Sequence, residues 1–304
     1  MKQMKPNKQL GILITLAGGC LWGLSGACGQ FLFSEKNACS DWLVPIRLVT
    51  AGFLLTCFYL VRHPDFSRRI WSGKKSALTL IGYGILGMML CQYSYFKAIE
   101  YSNAGTATVL QYLSPVLIML VMCIREKRLP GVVDIVAVLF ALTGICLLAT
   151  HGQTGSLAVS SRALFWGLFS AFTVVLYNLI PEGLMKEYPT PFLLGWAMLI
   201  GGVLLCILRK PWRYHPVMDA ESLICLGAII LLGTIASFSL YMQGVKWIGA
   251  EKASLYACVE PVAATLFSCF WLHTAFTGMD VAGFFCIIST LFLITLWGKN
   301  RQIS

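Results

Sequence analysis

The chain has 304 residues, 58% of them hydrophobic and only 12% charged, and a formal net charge of +10. Soluble domains carry about 25% charged residues, so an ordinary water-soluble globular protein is excluded. Nothing in the chain suggests nucleic acid as a partner; the expected partners are a lipid bilayer and a small-molecule substrate, with homo-oligomerisation left open.

Ten apolar spans can be drawn: Leu10–Phe33, Asp41–Val61, Ala77–Lys97, Asn103–Ile124, Val132–Thr150, Ser160–Pro181, Thr190–Leu208, Ser222–Lys246, Ala250–Leu272 and Gly278–Trp297. Each is close to the ~20 residues that cross a bilayer as a helix. The first follows a basic tail, residues 1–9, with Lys2, Lys5 and Lys8. Tail and span have the look of a signal peptide, with Cys20 after Ala17-Gly18-Gly19 near a lipoprotein cleavage pattern. The span is read as retained, because its loss would leave nine spans and break the five-plus-five order described below. Its segment Leu21-Trp22-Gly23-Leu24-Ser25-Gly26-Ala27 sets Trp22, Ser25 and Gly29 along one face, with Gln30 beside it.

The second span holds Arg47 about six residues from its start, some ~9 Å along the helix. A guanidinium there either grips a substrate carboxylate or phosphate in a bidentate pair, or snorkels to the outer interface or meets a helix C-terminus. The third carries Gly82, Gly84, Gly87 and Tyr95; with Gly18, Gly19, Gly201 and Gly202 these glycines suit close helix crossings. On the fourth, Thr108 and Gln111 share a face flanked by Tyr112 and Ser114, and Pro115 falls mid-span, where its ring and missing N–H kink a helix. Asp134 and Asp280 open the fifth and tenth spans, where a carboxylate favours the helix N-terminus.

The sixth span places Trp166, Ser170, Thr173 and Tyr177 along one face, with Asn178 adjacent. Such a face suits either a wet cavity that stacks and hydrogen-bonds an organic ligand or plain packing with an interfacial aromatic belt. Tyr241 in the eighth span matches Tyr95 in the third. In the ninth, Glu260 lies near mid-span before a second kink residue, Pro261, with Ala253, Ala257 and Ala264 beside it on a small-residue face. Ionisable groups at that depth are expensive and mark function by default. Burial favours the neutral carboxyl, so Glu260 could take up and release a proton or hold a substrate ammonium; the alternative is a structural carboxyl bonded to a neighbouring helix.

Leu21–Ala27 returns 144 positions later as Phe165-Trp166-Gly167-Leu168-Phe169-Ser170-Ala171, and Pro115 and Pro261 align at an offset of 146, as do Gly87 with Gly233, Tyr95 with Tyr241 and Asp134 with Asp280. Two copies of five spans, residues 10–150 and 151–297, followed by a tail 298–304, must lie inverted relative to one another. Inverted repeats with interrupted helices at matching positions are the architecture of secondary transporters. In the loops, tails and span ends, sixteen Lys and Arg fall on the side of the N-terminus and six on the other, so both termini are expected to be cytoplasmic. The cluster Arg209–Arg213 opposes that bias. Eleven of the 12 cysteines lie in or beside the spans, only Cys39 being clearly in a loop, and none has CxxC or metal-ligand spacing; no disulfide framework, metal or cofactor is expected.

Ten spans with a Trp-Gly in the first, an Arg in the second, a Gly-rich third and a Pro-centred fourth ending near Glu126, echoed by Glu260-Pro261 in the second copy, resemble the EamA branch of the drug/metabolite transporter superfamily. Leu272 and His273 stand where an acidic residue often closes the ninth span in that family. The resemblance implies a basket of helices around a central cavity, peripheral fifth and tenth helices, and movement of small metabolites, often outward, without nucleotide hydrolysis. An enzyme would need a clustered catalytic set, whereas His63, His151, His215 and His273 fall in loops or at span edges, far from HExxH spacing, and there is no Walker A sequence. The expectation is an all-α membrane carrier, an exporter of metabolites such as amino acids from the cell membrane's inner side. Export of cationic or aromatic drugs and a passive channel are the alternatives.

Overall fold

A computed structural model describes residues 8–127, 129–150, 159–248, 253 and 256–298. Lys2, Lys5, His151 and Ala250, named above, and Arg128, Lys252, Lys299 and Arg301, four of the sixteen basic residues counted above, lie outside them. Every regular element among the described residues is helical: α1 (Lys8–Glu35), α2 (Ser40–Arg62), α3 (Pro64–Ser72), α4 (Lys74–Tyr101), α5 (Ala104–Arg125), α6 (Val132–Thr150), α7 (Ser161–Leu179), α8 (Thr190–Arg209), α9 (Ala220–Ile248), α10 (Val259–Phe270) and α11 (Gly278–Gly298). Eight are long and apolar enough to cross a membrane; α10 and α11 add the shorter apolar stretches Val259–Phe270 and Gly278–Thr290. The short helix α3, which buries Ser67 and Ile70 between the second and third spans, has no counterpart among the ten expected spans.

Capping side chains start several helices. Asn103 accepts from the Thr106 N–H at 2.8 Å, Ser160 from Ala163 at 3.2 Å and Asp219 from Ser222 at 2.9 Å, meeting donors the first turn leaves unpaired. Asp134 and Asp280 accept from Gly131 and Thr277, each at 2.8 Å. Interiors are less regular. Tyr83–Met89 within α4 and Ala228–Ala236 within α9 are π-helical, wide turns that cluster at functional sites. Each contains one of the aligned glycines, Gly87 and Gly233. Helix α5 breaks between Gln111 and Ser114, and the chain turns at Cys258 ahead of α10; Pro115 and Pro261 follow these breaks.

Small residues set the crossings. Helix α2 lies along α8, where a side chain on Gly52 would strike the Leu199 backbone at 2.5 Å and one on Gly202 the Val49 backbone at 2.7 Å. Helix α1 runs against α9 and α10, with Gly23 abutting Ala263 and Ala264. Helix α4 packs on α7, α5 on α7 and α10, and α6 on α11. Gly82, by contrast, meets nothing within 4 Å and serves no crossing.

The two ends of the bundle differ. At one, Lys36 binds Asp219 (2.7 Å) and Glu221 (2.6 Å), while Asp41 gathers Lys97 (3.3 Å), Arg209 (3.4 Å) and the Tyr93 hydroxyl (2.6 Å). Arg209, from the cluster that opposed the charge bias, thus has an acidic partner and lies over the Tyr93 ring at 4.9 Å. At the other end the exposed pairs Arg69–Glu187 and Arg125–Glu182 link helix ends.

Candidate functional site

A cavity of about 520 Å³ lies among α1, α2, α4, α5, α7, α9 and α10, a volume suited to a small organic molecule. It runs from Arg47, Tyr95 and Glu260 to Pro181, Met185 and Thr190, which lie at the connection between α7 and α8, so its mouth is at that end. No described residue of α6 or α11 lines it.

Its walls are aromatic. Trp22 stands edge-on to Phe238 (ring centres 4.9 Å apart) and tilted against Tyr241 (5.3 Å), and Tyr83 meets Tyr177 across α4 and α7 (5.6 Å). Tyr95 bonds Thr108 at 2.8 Å, and since Thr108 donates to the Ala104 carbonyl (2.7 Å), Tyr95 is the donor of the pair. The Ser25 hydroxyl, buried and facing the cavity, has no protein partner.

Two charged groups reach this space. Arg47 is 3% exposed; its Nε donates to the Thr234 hydroxyl at 3.0 Å, its Nη2 approaches the Gly233 carbonyl at 3.5 Å, and its guanidinium covers the Phe96 ring at 4.9 Å. Of the two alternatives to substrate binding, snorkelling to the interface does not occur: Arg47 is held inside by the π segment of α9. That segment supplies the contact because its wide turn lets the Thr234 hydroxyl reach back five residues to the Ile229 carbonyl (2.9 Å) while its oxygen accepts from Arg47. Glu260 lies across the cavity, its Oε2 3.0 Å from the Tyr112 hydroxyl. Arg47 and Glu260 form no ion pair within 4 Å, so each keeps bonding capacity for a third party.

Of the residues singled out in the sequence, Trp22, Arg47, Tyr95, Gln111, Tyr112, Pro115, Tyr177, Asn178, Tyr241 and Glu260 line this one cavity. Trp166, Ser170, Thr173 and Pro261 do not. Helix α4 covers two of them, Trp166 packing edge-on to Tyr93 at 5.7 Å and Thr173 meeting Ser94 at 3.3 Å, while Ser170 is buried and turns onto the Gly167 carbonyl of its own helix at 2.8 Å. Only the last turn of the α7 stripe reaches the cavity. Tyr83, Cys91, Gln92, Phe238 and Met242 line it as well and were missed. Tyr83 and Cys91 flank Gly87, whose alignment with Gly233 was the one available signal.

The sequence model of the EamA-like transporter family matches residues 9–150 and again residues 161–296. The chain belongs to the EamA-like transporter family. It is 36% identical over 291 residues to YicL, an uncharacterized inner membrane transporter of Salmonella typhimurium, covering 96% of this chain and 97% of that protein. A WAT1-related protein of Arabidopsis thaliana is 25% identical, covering 72% of this chain and 70% of its own. A protein of known crystal structure shares the fold with a TM-score of 0.62 at 18% identity, over 97% of this chain and 99% of that one. This EamA-like protein is a multi-pass membrane transporter.

Proposed function

We propose that this EamA-like transporter is a secondary carrier that exports small zwitterionic metabolites such as amino acids. Ten spans in two inverted repeats would move by alternating access around the cavity. The observation that carries this is Arg47 and Glu260 facing one aromatic-walled space unpaired to each other: a guanidinium for a carboxylate, a carboxyl for an ammonium or proton, and stacking faces between. Three features support the repeats. The family model matches twice. The π segments and helix breaks recur at matching places. Helix contacts also exchange when the halves are swapped, α4–α7 for α9–α1 and α5–α7 for α10–α1, with α2–α8, α5–α10 and α6–α11 mapping onto themselves. The cavity mouth is on the Lys/Arg-rich side, the one that the charge rule makes cytoplasmic along with both termini, so substrate would load from the cell interior across the cell membrane.

Reconstitution into liposomes with a radiolabelled amino-acid and metabolite panel tests the proposal. Wild type should accumulate a zwitterion against its gradient when a pH gradient is imposed, and Glu260→Gln should abolish the pH dependence. Retained pH-dependent uphill transport in the variant refutes the proton role, and transport that never exceeds equilibrium makes the protein a facilitative carrier or a channel. The aromatic wall around Glu260 also fits a cationic aromatic drug. Competition by organic cations but not by zwitterions would decide for that substrate class.

A further inference from the structure

The Tyr112 hydroxyl lies 3.0 Å from the Glu260 Oε2 and equally 3.0 Å from the backbone carbonyl of Ala257. Both contacts were found with acceptors, and a phenol has one hydrogen. The carbonyl needs a donor because Pro261, four residues on, has no N–H to complete the helical bond. Tyr112 itself occupies the turn that breaks α5, so its side chain ties the break in one helix to the break before α10.

We propose that Tyr112 is a positioning residue that couples the proton on Glu260 to the junction between these two broken helices. This rests on Glu260 being the proton site. With Glu260 neutral, its O–H donates to the Tyr112 oxygen and the Tyr112 hydrogen goes to the Ala257 carbonyl, so every group is met. When the proton leaves for the cavity, the Tyr112 hydrogen turns to the new carboxylate and the Ala257 carbonyl is left bare on the cavity wall. One proton departs, one negative charge remains, and no other bond is made or broken. A free carbonyl costs stability in an apolar surround, so deprotonation loosens the junction, which is where a carrier with interrupted helices bends. The other titratable or charged groups facing Glu260 are Arg47 on α2, Cys91 and Tyr95 on α4 and Cys258 beside it, and Tyr241 on α9 faces Tyr112. Tyr112 is the residue that joins Glu260 to the break in α5.

The test is an infrared pH titration of the reconstituted full-length protein, following the protonated-carboxyl band that disappears in Glu260→Gln. It needs no substrate. Tyr112→Phe removes the donor to the carboxylate, and the midpoint of the band should move about one pH unit toward alkali. Pro261→Ala restores an N–H for the Ala257 carbonyl and frees Tyr112 for the carboxylate, so its midpoint should move about one unit toward acid. Opposite shifts are the signature; a purely structural role predicts none. A Tyr112→Phe midpoint equal to wild type, or both variants moving the same way, overturns the role of Tyr112 while leaving the proton role of Glu260 standing. A wild type with no Glu260-dependent band overturns both. If Tyr112→Phe does not elute as a single species, Pro261→Ala alone decides, by an acid shift or by none.

Discussion

Arg47 shows how one side chain can be both scaffold and site. Thr234 and Gly233 fix its position from one side while the remaining N–H groups of its five-donor fork are left to the cavity. Arg47→Lys keeps the charge but loses the planar fork, so a carboxylate substrate should bind about 10- to 100-fold more weakly, read as KM in liposome uptake, with little change for substrates lacking an anion. The small residues act the other way, by what they omit. Gly244 on α9 faces the Thr15 side chain of α1 so closely that a Cβ would overlap its hydroxyl, and Thr15 is pinned to the Gly11 carbonyl at 2.8 Å. Gly244→Val should therefore destabilise the detergent-solubilised protein by about 1–3 kcal/mol, measured as a lower midpoint in a thermal-unfolding assay. Gly82→Ala, with open space around it, should leave that midpoint unchanged.

At the scale of elements, periodicity showed which residues share a helical face but not how deep along the helix that face stays uncovered. The α7 stripe is one face, yet α4 crosses its first half and only Tyr177 and Asn178 remain open. The two prolines were legible as kinks, whereas the π turns were not: the partner that makes Ala228–Ala236 meaningful is Arg47, 187 residues earlier than Thr234, and no local pattern records such a distance. The ion pairs at the closed end were equally invisible, since Lys36 follows α1 and Asp219 precedes α9, in different halves. Their chemistry yields a prediction. Bonding to Lys36, and then the capping bond to Ser222, hold Asp219 down at about 2; bonding to Asp219 and Glu221 pushes Lys36 up to about 12. The Asp219 contribution is present above the ordinary carboxylate range and fades as pH falls toward about 2, and that of Lys36 is present below the ordinary lysine range and fades as pH rises through about 12. Closure by this link is thus flat across neutral pH. In Glu260→Gln, the rate at which an impermeant thiol reagent labels the closed end, divided by its rate with a small free thiol at the same pH, should not vary between about pH 5 and 9; a slope in that ratio would mean another titrating group controls that end.

For the whole molecule, the asymmetry of the ends defines a state: mouth open on the basic side, closed opposite. Closure has a hub that is not electrostatic. The Gln30 carbonyl accepts from the Ala104 N–H (2.8 Å) and the Ser268 hydroxyl (2.9 Å), and its amide donates to Thr274 (2.8 Å). One side chain on α1 thereby holds the start of α5 and the end of α10, the outer limbs of the two broken helices. Opening that end requires all three bonds to part, while the surface pairs around them can re-form with water at little cost. Removal of Gln30 penalises the closed state alone, and a two-state carrier responds to such a differential by shifting its populations. At about 1 kcal/mol for each of three bonds, Gln30→Ala should raise the fraction open on that side on the order of 100-fold. Ser25→Cys, a small change at a buried position on the cavity wall, provides the reporter. Its modification by an impermeant thiol reagent from the closed side, measured against the same Gln30→Ala protein without the reporter, should accelerate by that factor, while modification from the mouth side should slow. Equal rates with and without Gln30 would show that the ion pairs, not this hub, keep the end shut.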